Sequence, residues 1–217
     1  MSDLDNQRVT ETPEEIAYEL RAAEGAIWTS GRLLIGVLTF AFASLAFAYF
    51  YLRSANNGNL WRPHGITAPT SFGTAIALLV VAGAALNAYG MVRFRKGVTL
   101  DWEVAGWVAV FAGLLASGLQ AYELTRLPFY PGSSGYASVF IGWAVMNLAF
   151  LLSGTYWLET LLAKSLRLRR ALAEDGGAGR SPMPAARMFR VNLESCTYYW
   201  GFMVLVSVLF WILIYEI

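Results

Sequence analysis

The sequence predicts an all-α, polytopic membrane protein, a bundle of five transmembrane helices. Three observations carry this. Of 217 residues, 57% are hydrophobic and 14% charged, whereas a soluble domain carries about 25% charged residues. Five stretches reach the ~20 mostly apolar residues that crossing a bilayer core requires. None of them contains Asp, Glu, Lys or Arg, and none alternates apolar and polar faces as the helices of a soluble core do.

An N-terminal segment, residues 1–28, precedes the spans. In it Thr12-Pro13-Glu14-Glu15 reads as a helix start, with a Thr cap, proline at the first helical position and acids near the positive dipole end. Ile16, Leu20, Ala23 and Ile27 recur at helical spacing and predict a short amphipathic helix along the cytoplasmic membrane face. The first 25 residues hold seven acids and two arginines. That is the reverse of a basic segment followed by an apolar one, so no cleavable signal peptide is expected.

The transmembrane domain, residues 29–217, has spans over 33–52, 70–92, 104–122, 135–158 and 195–215. Span three carries small residues four apart (Ala105, Ala109, Gly113, Ser117), a stripe that lets another helix approach closely. Between spans four and five, Lys164 to Ala173 reads as basic helix. The chain then becomes flexible through Asp175 to Gly179 and Ser181 to Pro184. Trp28, Tyr49 to Tyr51, Trp102, Trp107, Tyr156, Trp157 and Tyr198 to Trp200 lie near span ends, the expected interfacial belt.

Lys and Arg set the orientation. Thirteen fall on the side of the N-terminus and three (Arg53, Arg62, Arg126) on the other. The N-terminus is therefore expected in the cytoplasm and the C-terminus outside. A net charge of +1 argues against a nucleic-acid partner, which needs a basic face or stripe. Cys196 and His64 are the only cysteine and histidine. No bis-histidine haem, multi-imidazole copper centre or His/Cys zinc site can be assembled from them. No cofactor is expected on this chain, and any redox chemistry must sit on a partner.

Polar residues at membrane depth are costly and so informative. They are few: Asn87, Gln120 at the outer end of span three, and Asn147 in mid-span four. Glu123 and Glu194 lie just beyond span ends, within helical reach of Arg126 and Arg190 respectively. The expected role of these groups is to tie helices together.

Three segments resemble subunit III of the haem-copper oxidases (cytochrome c oxidase subunit III). Phe47 to Ser54 followed by Trp61-Arg62-Pro63-His64-Gly65-Ile66 is similar to the family's aromatic helix end and Trp-Pro-Pro loop, with Arg62 replacing the first proline. Gln120-Ala121-Tyr122-Glu123 and then Tyr136-Ala137-Ser138-Val139-Phe140 resemble the family's Gln-x-x-Glu and Tyr-Gly-Ser-x-Phe. Glu194 with Tyr198-Tyr199-Trp200-Gly201-Phe202 resembles its Glu followed by Trp-Tyr-Trp-His-Phe. The segments occur in family order over roughly residues 28 to 217. The chain looks like a divergent five-helix member that lacks the first two helices of seven-span relatives.

The departures concern titratable groups. Thr39 stands where the family has an intramembrane acid, and Asn147 and Phe150 stand where it has histidines. The resemblance implies an accessory, non-redox subunit of a respiratory terminal oxidase in a bacterial or archaeal inner (plasma) membrane. It would pack against catalytic subunit I and other oxidase subunits, which carry haem and copper, and support stability and proton uptake. Phospholipid and membrane lipid contacts are implied too. Carried over by position, the contact residues are Trp61, Pro63, Gln120, Glu123, Glu194, Tyr198 and Trp200, with Asn147 as a helix tie. Two other readings stay open: an accessory protein of a nitric oxide reductase, and a small membrane transporter.

Overall fold

The computed structural model describes residues 12–56, 60–64, 66–174 and 183–216. Its long helices are α1 (Pro13–Ala55), α2 (Thr70–Arg95), α3 (Thr99–Thr125), α4 (Gly135–Glu174) and α5 (Met183–Trp211), the last continued by a π turn over Ile212–Glu216. All five are long and apolar enough to cross a membrane, and no strand occurs among the described residues. The helices alternate in direction. The start of α1, the α2–α3 turn, the end of α4 and the start of α5 therefore share one end, called here the basic end; the other is the far end.

Helix α1 begins with a reciprocal cap. Thr12 Oγ1 accepts the Glu15 N–H at 3.3 Å, and Glu15 Oε2 accepts the Thr12 N–H at 2.7 Å. The short amphipathic helix expected within the first 28 residues does not end there. It is the opening of one 43-residue helix. After Pro13 the only weak helix formers of note are Gly25, Gly31 and Gly36, and an isolated glycine costs only about 1 kcal/mol. Nothing before Asn56 stops the helix. At about 1.5 Å per residue α1 is roughly 64 Å long, twice what a ~30 Å hydrocarbon core requires. Helix α4, with 40 residues, is similarly overlong.

The α2–α3 turn is closed by the Gly97 N–H on Phe94 O at 2.9 Å and the Val98 N–H on Arg93 O at 3.0 Å. Gly97 has φ +80°, a left-handed conformation that only glycine adopts without strain. An Arg93–Asp101 ion pair braces the same turn. Of the stretch expected to be flexible after α4, residues 175–182 lie outside the described part. Met183 and Pro184 open α5 instead of ending the loop, because proline is tolerated in a helix's first turn.

Helices α2 and α3 pair most extensively, α5 packs on α1, α2 and α4, and α1 touches chiefly α4 and α5. Lipid supplies no hydrophobic drive between helices, so close packing must hold them. The small-residue stripe on α3 serves this purpose. Ala105, Ala109, Gly113 and Ser117 are all buried, and a Cβ on Gly106 would come within 2.8 Å of Leu162 on α4. Part of the aromatic belt turns inward. Tyr51, Trp107, Tyr156 and Tyr198 stay exposed, but Tyr49, Trp102, Tyr199 and Trp200 are core residues. Trp102 meets Phe94 and Phe189 at 6.1 and 5.3 Å.

Candidate functional site

Gln120 and Glu123 lie one turn apart on α3, so they share a face. That face points into the bundle, and Gln120, Glu123 and Asn147 of α4 are each 0% exposed. Buried polar groups must find partners, and these find one another. Asn147 Nδ2 donates to Gln120 Oε1 at 3.0 Å, and Gln120 Nε2 donates to Glu123 Oε2 at 2.8 Å. Tyr215 Oη donates to the second carboxyl oxygen, Glu123 Oε1, at 2.8 Å. The chain Asn147–Gln120–Glu123–Tyr215 joins α4, α3 and the π turn after α5.

Helix α2 joins through shape. A Cβ at Gly73 would collide with the Tyr215 ring, so only glycine leaves room there. Phe140 and Trp143 hold the ring edge-on at 5.7 and 6.2 Å. The π turn buries Leu213, Ile214 and Tyr215 in succession, which brings the tyrosine back onto the far ends of α2 and α3.

The ion pair expected between Glu123 and Arg126 does not form. Arg126 is the C-cap of α3, where the helix has ended, and its guanidinium turns outward. Its Nε donates to Tyr122 Oη at 3.1 Å, and it lies 5.1 Å from that ring. Among the described residues Glu123 is held by neutral donors alone.

Glu194 lies at the basic end. Its Oε1 accepts from Arg190, as the helical spacing predicts, at 3.1 Å, and from Arg95 of α2 at 2.8 Å. Arg187 pairs with Glu24 at 2.7 Å and ties α5 to the long first helix. Beside Glu194 opens a groove of about 490 Å³ between α1, α2 and α5. Arg95, Glu194 and Tyr198 line its polar part, and Ile35, Phe202 and Leu205 its apolar part.

The other positions named from sequence lie elsewhere. Trp200 is buried where α3, α4 and α5 meet, 3.1 Å from where a Gly113 Cβ would sit. Trp61, in the far-end loop, stands edge-on to Tyr49 and Tyr136 at 5.1 and 6.1 Å. Its carbonyl accepts the Tyr136 N–H at 3.2 Å. Pro63 contributes a carbonyl that accepts the Ile66 N–H at 3.0 Å and shapes that loop. The loop, the groove and the buried chain are thus three separate places. Sequence reasoning missed Tyr215, Arg95 and Glu103. Glu103 is 4% exposed and accepts from Ser165 Oγ of α4 at 3.2 Å. The span expected over 104–122 begins just after it, whereas α3 already runs from Thr99.

Cys196 is buried and unpaired, and His64 is exposed. Among the described residues no three His, Cys, Asp or Glu side chains gather as a metal site.

No protein-family model matches the chain. Over 181 residues, 81% of the chain, it is 22% identical to cytochrome c oxidase subunit 3 of Schizophyllum commune. The likeness is distant. It covers 62% of that protein's length, and it names the same family as the motifs around Gln120, Glu123 and Glu194.

Proposed function

We propose that the chain is an accessory, non-redox subunit of a respiratory haem-copper oxidase. It packs against the catalytic subunit that carries haem and copper and supports that subunit's stability and proton uptake. The observation that carries this reading is the Gln120–Glu123 pair. These two residues hold the family's Gln-x-x-Glu positions, in a chain distantly similar to a cytochrome c oxidase subunit 3 over most of its length. They are also the centre of the polar chain that ties α3 to α4 and α5. A tie of this kind fixes the shape of a scaffold, which is what an accessory subunit presents to its partner. The groove beside Glu194 fits a lipid acyl chain below and a polar headgroup above, so membrane phospholipid is its proposed occupant.

The test is selective depletion. Stripping the chain from the complex with a stronger detergent should leave the haem spectrum intact. The remaining complex should inactivate at lower temperature and take up protons more slowly. Loss of haem in proportion to loss of this chain would contradict the non-redox assignment.

In the proposed orientation the basic end faces the cytoplasm, because Lys and Arg resist translocation. Reporter fusions at Ser2 and Ile217 should give opposite compartments, with Ser2 inside. The same compartment for both would contradict the five-span count.

A further inference from the structure

The helices α3, α4 and α5 run in step. Gly113, Thr155 and Trp200 meet at one level. Moving toward the far end, seven residues along α3 reach Gln120, eight along α4 reach Asn147 and seven along α5 reach Ser207. At about 1.5 Å per residue each step is roughly 10–12 Å, so the three lie at the same depth. Two contacts agree with this. Asn147 bonds to Gln120 at 3.0 Å. One turn farther out, Trp143 stacks on Phe210 at 5.9 Å with 13° between the planes.

Outward of Trp200, whose own Nε1 is also unpartnered, three buried polar atoms of α4 and α5 have no hydrogen-bond partner among the described residues: Trp143 Nε1, Asn147 Oδ1 and Ser207 Oγ. The parent residues are 2%, 0% and 2% exposed. Ser207 differs from its neighbours here. Ser117, Ser153, Thr155 and Thr197 each bond back to the carbonyl four residues earlier, the usual way a hydroxyl is satisfied inside a lipid-embedded helix. The three groups supply one donor, one acceptor and one hydroxyl that is either. That is the set of two to four polar partners that holds a buried water, and at this depth unmet polar groups are costly.

We propose that the α3–α4–α5 seam binds an internal water molecule, held by Asn147 Oδ1, Ser207 Oγ and the Trp143 indole N–H. The water extends the polar chain from Glu123 through Gln120 and Asn147 to α5 at a second level, one to two turns inward of Tyr215. The site does not depend on which complex contains the chain.

The test is an experimental structure of the intact protein in a lipid nanodisc, at a resolution that places ordered waters. A peak is expected within about 2.6–3.2 Å of Asn147 Oδ1, Ser207 Oγ and Trp143 Nε1, and Ser207→Ala should displace or empty it. Ultraviolet resonance Raman gives an independent reading. The difference between wild type and Trp143→Phe should show a hydrogen-bonded indole N–H. Either of two results overturns the proposal: no density at the seam where other internal waters are resolved, or a free N–H signature for Trp143.

Discussion

Replacing Glu123 with leucine is expected to lower the stability of the folded chain by about 2–4 kcal/mol, because it strands two buried donors at once. Both carboxyl oxygens are in use, one by Gln120 Nε2 and one by Tyr215 Oη. Leucine keeps the volume but accepts nothing, so each donor loses its partner where no water replaces it. Glutamine retains one acceptor and should cost about half as much. The order wild type, Glu123→Gln, Glu123→Leu should appear in thermal unfolding of the purified protein, with Tyr215→Phe near the glutamine variant. Turnover per intact complex should change little, since the proposed role is to tie helices. If Glu123→Gln keeps every subunit and its melting point, yet slows proton uptake severalfold at high pH, the tethering role fails and a proton role takes its place.

Gly113→Leu is expected to have the other large effect. Gly113 lies where α3, α4 and α5 converge. A Cβ there would stand 3.1 Å from Trp200 Cη2 and closer still to Thr155 Oγ1. Trp200 and Thr155 are 1% and 2% exposed, so neither can swing aside. Overpacking a tight core costs about 1–3 kcal/mol for small insertions, and leucine adds three more carbons than alanine. Gly113→Leu should therefore abolish folding or membrane accumulation, and Gly113→Ala should lower the melting temperature by several degrees. Thr155→Ala, which removes the atom nearest to the new Cβ, Thr155 Oγ1, should recover part of the loss in the Gly113→Ala background. Equal stability of Gly113→Leu and wild type in detergent would contradict this packing.

The spans were legible because hydropathy acts locally: a run of apolar residues reports its own burial in lipid. The stripe on α3 was legible for a related reason. Residues four apart share a face whatever the helix packs against, so Ala105, Ala109, Gly113 and Ser117 had to line one seam. The Glu194–Arg190 pair follows from spacing within one helix. What the sequence did not show is long-range. Tyr215 lies 92 residues from Glu123, and a tyrosine near a span end reads as a belt residue like any other. Only the π turn and the vacancy at Gly73 turn it inward. Arg126 failed as a partner because spacing assumes a continuing helix, and α3 ends at Thr125. The continuity of α1 was hidden because a capped, acidic segment looks like a separate element until the absence of a stop before Asn56 is given its weight.

Neither stability test identifies the partner, and partnership is the central claim. The most direct measurement is purification of the tagged chain from its native membrane in mild detergent, with visible spectroscopy, metal analysis and identification of the co-purifying proteins. The proposal predicts a many-helix partner in constant ratio, with a haem spectrum and stoichiometric copper. After dissociation both should stay with the partner, leaving this chain without haem absorbance. Recovery with a haem partner that lacks copper would favour the nitric oxide reductase reading. Recovery with a solute-binding protein and no haem would contradict the oxidase assignment outright.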